Sequence, residues 1–273
     1  MLPVMLQLYN VREELKTDFD GTLTQVAGIG YKYVELALAM SFGKTAGETR
    51  ASLEKAGLAA ISAHVPYQDM IADKDKVIGY HLDIGCKFIA VPFLGAEDRS
   101  TGPNYEEVKK GIAKLGEYCR GKGVTLLYHN HEFEFADYKG KYALDDLYDS
   151  IPASLLQTEI DVCWAKVGGA DPAEYILKYS GRAPVVHLKD FDSSEGGRIK
   201  AEYDLIGEAR KARAAGSFPF RAVGHGVQDI PGIVKASEKA GTQWLVVEQD
   251  LPSPGMTPIQ CAKQSWDYLR SLS

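Results

Sequence analysis

Short runs of apolar residues alternate along the chain with longer stretches of helical periodicity, and the transitions between them repeat. Five times a helical stretch stops at a glycine and a β-branched or aromatic run begins a few residues later: AGIGYKYVEL (27–36), KAGLAAISAH (55–64), DIGCKFIAV (83–91), GKGVTLLYH (121–129) and KAGTQWLVVE (239–248). Gly30, Gly57, Gly85, Gly123 and Gly241 suit the position just past a helix, where the backbone turns left-handed. The first three lie 27 and 28 residues apart, the length of one strand, one helix and two short loops. The predicted strands are Val4–Leu8, Tyr33–Leu36, Ala59–Ala63, Phe88–Val91, Thr125–Tyr128, Leu156–Ile160, Val185–Leu188 and Trp244–Val247. The predicted helices are Asp20–Ala27, Thr45–Ala56, Ile71–Ile84, Tyr105–Gly121, Leu144–Ser150, Pro172–Tyr179, Ile230–Ala240 and Thr257–Leu272.

Runs such as VVHL and WLVV are apolar on both faces, as parallel strands covered by helices must be. Eight such units closing on themselves make an α/β fold of the (β/α)8 TIM barrel type, a single domain over 1–273; a doubly wound open sheet is the alternative. The length of 273 residues suits one barrel. The rhythm breaks once: Asp190–Asp229 separates the seventh strand from its helix, with turn-rich Ser193–Gly197, a predicted short helix Leu205–Ala215 and the tripeptide GHG. A long insertion at that place is expected to serve as a lid or a subunit contact.

With 45% apolar and 25% charged residues the chain is globular, and its net charge of −6 without a dense Lys/Arg stripe argues against duplex nucleic acid as a partner. Cys86, Cys119, Cys163 and Cys261 match neither a CxxC pair nor a small disulfide framework, so reduced, mostly buried thiols are expected. No apolar run is long enough for a membrane span, and the first ten residues lack the marks of a secretory signal. A cytoplasmic location is the expectation, although a trimmed signal would leave the same sequence.

In a barrel the side chains at the C-terminal ends of the strands converge on one cavity. Here those ends carry Gln7 and Tyr9, Glu35, His64, the segment HNHEFEF (129–135), Asp161, His187 with Lys189 and Asp190, and Glu248. Several buried carboxylates around one cavity repel one another, and a divalent cation resolves the conflict. Three carboxylates and one imidazole suit Mn²⁺, Mg²⁺, Zn²⁺ or Co²⁺. The competing arrangement is a network of salt bridges to Lys87, Lys189 and Arg221.

The pieces QLYNVR (7–12), GYKYVEL (30–36), YHNHEFEF (128–135), EIDVCWAKVGGADP (159–172), VVHLKD (185–190), GHGVQD (224–229) and VVEQD (246–250) resemble the sugar phosphate isomerase/epimerase family, the xylose isomerase-like TIM barrels, over nearly the whole chain. That resemblance implies one divalent metal held by four strand-end residues, Glu, Asp, His and Glu in chain order, which it places on Glu134, Asp161, His187 and Glu248. Glu132 is the fallback for the first, because relatives with a Glu inside the fifth strand carry it where this chain has Leu126 or Leu127. His225 stands where many relatives have Glu between two glycines. The histidine-rich set of the endonuclease-like relatives is absent from the motifs.

A divalent ion on a carbonyl and its neighbouring hydroxyl acidifies the carbon-bound proton and stabilises the enediolate. Glu134 and Glu248 are the expected acid–base pair for epimerisation or isomerisation of a keto sugar, with His129 and His131 as substitutes. Gln7, Glu35, His64, Trp164, Lys189 and His225 are the expected substrate contacts. The same enediolate can expel a β-substituent, which makes a dehydratase or lyase on an inosose or 3-keto-glycoside the alternative, because HNH resembles the fifth-strand motif of such relatives. A third reading is a carbohydrate-binding barrel without turnover. The expected partner is a small sugar, unphosphorylated for want of a phosphate-binding cluster, and self-association follows only as a habit of barrels this size.

Overall fold

Eight parallel strands close into a barrel: β1 (Val4–Gln7), β2 (Tyr33–Ala37), β3 (Ala59–His64), β4 (Phe88–Val91), β5 (Thr125–His129), β6 (Gln157–Asp161), β7 (Val185–Leu188) and β8 (Trp244–Val247). Each pairs with its sequence neighbours, and β1 pairs with β8 to complete the ring, so the open-sheet alternative is excluded. This computed structural model describes residues 2–37, 42–192 and 219–272. Every strand lies within a residue or two of its predicted place. The five junction glycines all adopt positive φ, between 77° and 125°, as a left-handed turn after each helix requires.

The strands divide their side chains between two apolar populations. Met5, Ile61, Phe88, Ala90, Leu127, Val185 and Val246 fill the barrel, while Leu6, Leu126, Ile160, Val186 and Leu245 join the larger layer beneath the helices. This alternation assigns the remaining strand-end positions. On β5, β7 and β8 the inward series Leu127, Val185 and Val246 continues two residues on to His129, His187 and Glu248.

One strand breaks its alternation. Val34 and Glu35 of β2 pair with Ala60 and Ser62, so β3 carries one extra residue. Such a bulge shifts the phase of everything after it. Ile61 faces the barrel, Ala63 faces the helices, and His64 faces inward again, where its ring meets Glu159.

The helices follow the predicted order with local differences. The expected helix Ile71–Ile84 is two, Tyr67–Ala72 and Lys74–Ile84, because Asp73 accepts a hydrogen bond from the Lys76 amide and caps the second. Short helices Arg12–Thr17 and Val162–Val167 were not foreseen. At the insertion after β7, Asp190–Phe191 pairs antiparallel with Phe220–Arg221. The expected turns Ser193–Gly197 and helix Leu205–Ala215 lie outside the described residues. All four cysteines are free and buried. Among the described residues no helix is long and apolar enough to cross a membrane.

Candidate metal centre and active site

Four residues converge at the C-terminal mouth: His129 of β5, Asp161 of β6, His187 of β7 and Glu248 just after β8 offer ligand atoms that all lie within 4.8 Å of one another. Local backbone chemistry aims each of them. Asn130, the middle of HNH, accepts from the Asp161 amide and donates to the Asp161 carbonyl, locking the ends of β5 and β6 together. Asp161 then caps helix Val162–Val167 with Oδ1, which accepts from the Trp164 amide, and its Oδ2 is left buried without a hydrogen bond. His129 Nδ1 lies 3.2 Å from the Pro92 carbonyl, so its proton belongs there and Nε2 is turned to the centre. That Nε2 is also buried without a hydrogen bond, 3.4 Å from Asp161 Oδ2 and 3.6 Å from Glu248 Oε2. His187 Nδ1 lies 3.0 Å from Glu248 Oε2.

These donors fit a divalent cation. Two imidazole nitrogens and two carboxylates are a usual set for Zn²⁺, Mn²⁺ or Co²⁺, and the two orphaned buried atoms, His129 Nε2 and Asp161 Oδ2, are ones a cation would satisfy. In the protein alone, protons and one lysine do the balancing. The Lys189 ammonium is 1% exposed and lies 2.9 Å from Glu248, 3.4 Å from Asp161 and 3.3 Å from Asp250. Burial opposes its charge, yet Asp250, Glu248 and Asp161 together raise it well above the ordinary lysine range. The same contact, with help from His129 and His187, holds Glu248 well below the ordinary carboxylate range against its burial. Burial likewise favours a neutral His129, but Asp161 and Glu248 outweigh it and push the ring up to about 9. Lys189 therefore supplies part of the competing salt-bridge network; Arg221 instead pairs with Asp192.

Glu134 is not among the converging residues. The segment after HNH curls into a short 3-10 turn, Glu132–Phe135, that turns the Glu134 carboxylate back towards the helix layer. One oxygen accepts from Tyr128 at 2.5 Å and the other from the His131 amide at 2.7 Å. Burial pushes Glu134 up to about 8 and Glu132 up to about 7. The inward position at the end of β5 belongs to His129, which thus stands where the resemblance implied a glutamate.

The expected substrate contacts divide. Lys189 lies in the centre. Glu35 and His64 group with Glu159, one inward position below Asp161 on its strand, and with His187, while the His64 ring also lies 4.9 Å from that of His129. Gln7 is fully buried, donating to Glu35 and accepting from the Tyr9 amide. The Trp164 ring is 2% exposed and stacks on His131 at 5.5 Å, with the Lys189 ammonium 5.2 Å from its centroid. Its visible role is to hold those two side chains. His225 points away, against Tyr268 and Gln264 of the terminal helix. The glycines beside it have a task of their own: the fully buried Asp190 carboxylate accepts from the amides of Gly224, Gly226 and Gln228. A Cβ on Gly226 would stand 2.2 Å from Asp190 Oδ1.

Glu159, Asp250 and Asn130 were missed by the reading of the sequence. The first two had a signal, since each sits two residues from a singled-out carboxylate, in EID and EQD, and two residues is the repeat of one strand face.

Residues 23–272 match the family described as the xylose isomerase-like TIM barrel, and the chain belongs to that family. Among curated proteins it is similar to an inosose dehydratase of Geobacillus kaustophilus, 24% identical over 93% of this chain and 87% of that one. A solved sugar phosphate isomerase/epimerase from Parabacteroides distasonis superposes with a TM-score of 0.77 at 21% identity, over 99% of this chain and 94% of that one. A probable 3-DHS dehydratase from Bacillus anthracis superposes with a TM-score of 0.74 at 12% identity, over 99% of both chains.

Proposed function

We propose that this protein is a divalent-metal-dependent enzyme that removes a carbon-bound proton beside the carbonyl of an inosose or keto sugar and expels a β-hydroxyl as water. The observation that carries this reading is the convergence of His129, Asp161, His187 and Glu248 at the barrel mouth, with His129 Nε2 and Asp161 Oδ2 buried and without a hydrogen bond. These four residues are the proposed ligands. When bound, a divalent cation supplies Lewis acidity towards the substrate carbonyl.

The remaining work falls to the protein's own side chains. His131 is held by burial and by the charges of His129 and Lys189 well below the ordinary histidine range, and its Nδ1 is buried without a hydrogen bond. Neutral in the protein without a cation, it is the candidate acceptor of the carbon-bound proton. Lys189 keeps its proton and can donate a hydrogen bond to the departing hydroxyl, and the proton that His131 takes from carbon can be handed on to that oxygen, so the hydroxyl leaves as water. Trp164 and Phe133 hold the His131 ring at 5.5 Å on stacked faces, which fixes where that nitrogen points.

Elimination is preferred to epimerisation or isomerisation on one geometric ground. An exchange between two faces was expected to use Glu134 opposite Glu248, with His129 and His131 as substitutes; both oxygens of Glu134 are committed to Tyr128 and the His131 amide, and with His129 and Glu248 as ligands in this reading His131 is left as a single base. The name of the curated relatives agrees with elimination; the name of the solved isomerase/epimerase supports the other reading, which shares the proton abstraction and differs in its outcome.

The test is to strip the protein of metal, reload it separately with Mn²⁺, Co²⁺, Zn²⁺ and Mg²⁺, and incubate it with inososes and keto sugars in D₂O. A product lighter by one water supports the proposal. A stereoisomer or aldose–ketose isomer carrying solvent deuterium replaces it with the isomerase reading. Ligand binding without exchange or product would leave a carbohydrate-binding barrel.

A further inference from the structure

Beneath the centre a second group of polar side chains is sealed into the barrel floor. Glu35 and Glu159 are fully buried, and they face each other with His64 and the far side of the His187 ring. His64 Nε2 lies 2.8 Å from Glu159 Oε2 and 3.3 Å from Glu35 Oε2. His187 Nε2 lies 2.7 Å from Glu35 Oε2 and 3.6 Å from Glu159 Oε1. The bulge in β3 is what turns His64 into this group, and Gln7 holds Glu35 in place with a 2.8 Å hydrogen bond.

The floor is under-satisfied. Oε1 of Glu35 and Oε1 of Glu159 are buried without a hydrogen bond, and each such group costs about 1–3 kcal/mol. The lysine that neutralises the mouth is engaged above, with Asp161, Glu248 and Asp250. Two buried carboxylates and two imidazoles are a zinc-type donor set. A tetrahedral ion with bonds of about 2.0–2.1 Å spaces its donors by about 3.3–3.4 Å. The separations of 2.7, 2.8, 3.3 and 3.6 Å reach that spacing with shifts of up to about 0.7 Å.

We propose that the floor is a second divalent-cation site, in which Glu35, His64 and Glu159 hold a zinc-class ion and His187 joins it to the centre above. His187 presents Nδ1 to Glu248 and Nε2 to the floor. With both nitrogens bound the ring gives up its N–H proton, so uptake of the second ion releases a proton to solvent. This site goes beyond the reading above, which needs one ion, and it stands or falls apart from the reaction.

The experiment uses the full chain, stripped by chelation, dialysed against ZnCl₂, passed over a desalting column and analysed for zinc by mass spectrometry. Wild type should hold two ions per chain, Glu35→Gln and Glu159→Gln one, Asp161→Asn one, and Asp161→Asn/Glu159→Gln none. Refilling with Co²⁺ should give a visible band of tetrahedral type in Asp161→Asn that Glu159→Gln removes. One ion in wild type, lost in Asp161→Asn and kept in Glu159→Gln and Glu35→Gln, overturns the floor site and leaves the upper centre standing. One ion with the opposite pattern keeps the floor site and removes the upper centre. No ion overturns both, and two ions retained by both floor variants overturn the floor site. Circular dichroism accompanies each variant, and His64→Asn replaces any glutamine variant that does not fold.

Discussion

Lys189 offers the sharpest test of how the buried charges at the barrel mouth are balanced. Its ammonium is 1% exposed and stands within 3.4 Å of three carboxylates, those of Asp161, Glu248 and Asp250. Lys189→Met keeps most of the side-chain volume and removes the charge together with its hydrogen bonds to Asp250. Removing one partner of a buried ion pair costs about 3–5 kcal/mol, because the other charge is left uncompensated. For a domain of this size about 1 kcal/mol corresponds to about 2 °C in Tm, so metal-free Lys189→Met should melt about 6–10 °C below metal-free wild type. A divalent cation supplies the missing positive charge without having to displace the ammonium. At a hundredfold excess over Kd it contributes about 2.7 kcal/mol, and its Kd should be lower in the variant. Differential scanning fluorimetry of both proteins with and without Mn²⁺ or Zn²⁺ reads both effects. A metal-free variant melting within about 2 °C of wild type would show that Lys189 does not carry the balance. Equal metal-induced rises in the two proteins would show that cation and lysine do not share these carboxylates.

Glu248→Gln should lower turnover by at least about 10²-fold while leaving the circular dichroism unchanged, and a variant with wild-type rate would remove Glu248 from the site. Asp190→Ala strands the amides of Gly224, Gly226 and Gln228, at about 1–3 kcal/mol each before relaxation, so Tm should fall and hydrogen exchange over 224–228 should speed up; unchanged exchange there would refute the cradle. Burial pushes the thiols of Cys86 and Cys119 up to about 12, so at pH 9, where a free cysteine is largely thiolate, both should stay inert to a disulfide reagent until the protein unfolds. Mass-spectrometric detection of either one modified in the native state would contradict that. Gly116→Ala places a Cβ 2.2 Å from the Leu155 carbonyl oxygen, and the overpacking should cost about 1–3 kcal/mol in urea unfolding.

The barrel was legible in the chain because its information is local. Apolar runs, helical periodicity and five glycines at helix ends are each set by a handful of neighbouring residues, and β1 to β8 form where those signals lie. The positions of Asp161, His187 and Glu248 at or beside the C-terminal ends of their strands were legible for the same reason, since strand boundaries are local and strand geometry then turns these side chains towards the mouth. Three matters depended on contacts between residues far apart in sequence. Glu134 and His129 lie in one heptapeptide, and their order along it does not tell which faces the barrel; the 3-10 turn at Glu132–Phe135 and the Tyr128 hydroxyl turn Glu134 away and leave the inward place to His129. His64 reaches the floor only because β3 carries an extra residue opposite β2, a property of the pairing and not of either strand alone. Glu35, Glu159 and His187 come from three separate strands, and their shared burial exists only after closure of the barrel. A sequence determines the periodicities that its own neighbours impose, whereas convergence on a common axis is decided by register and curvature, which belong to the assembled sheet.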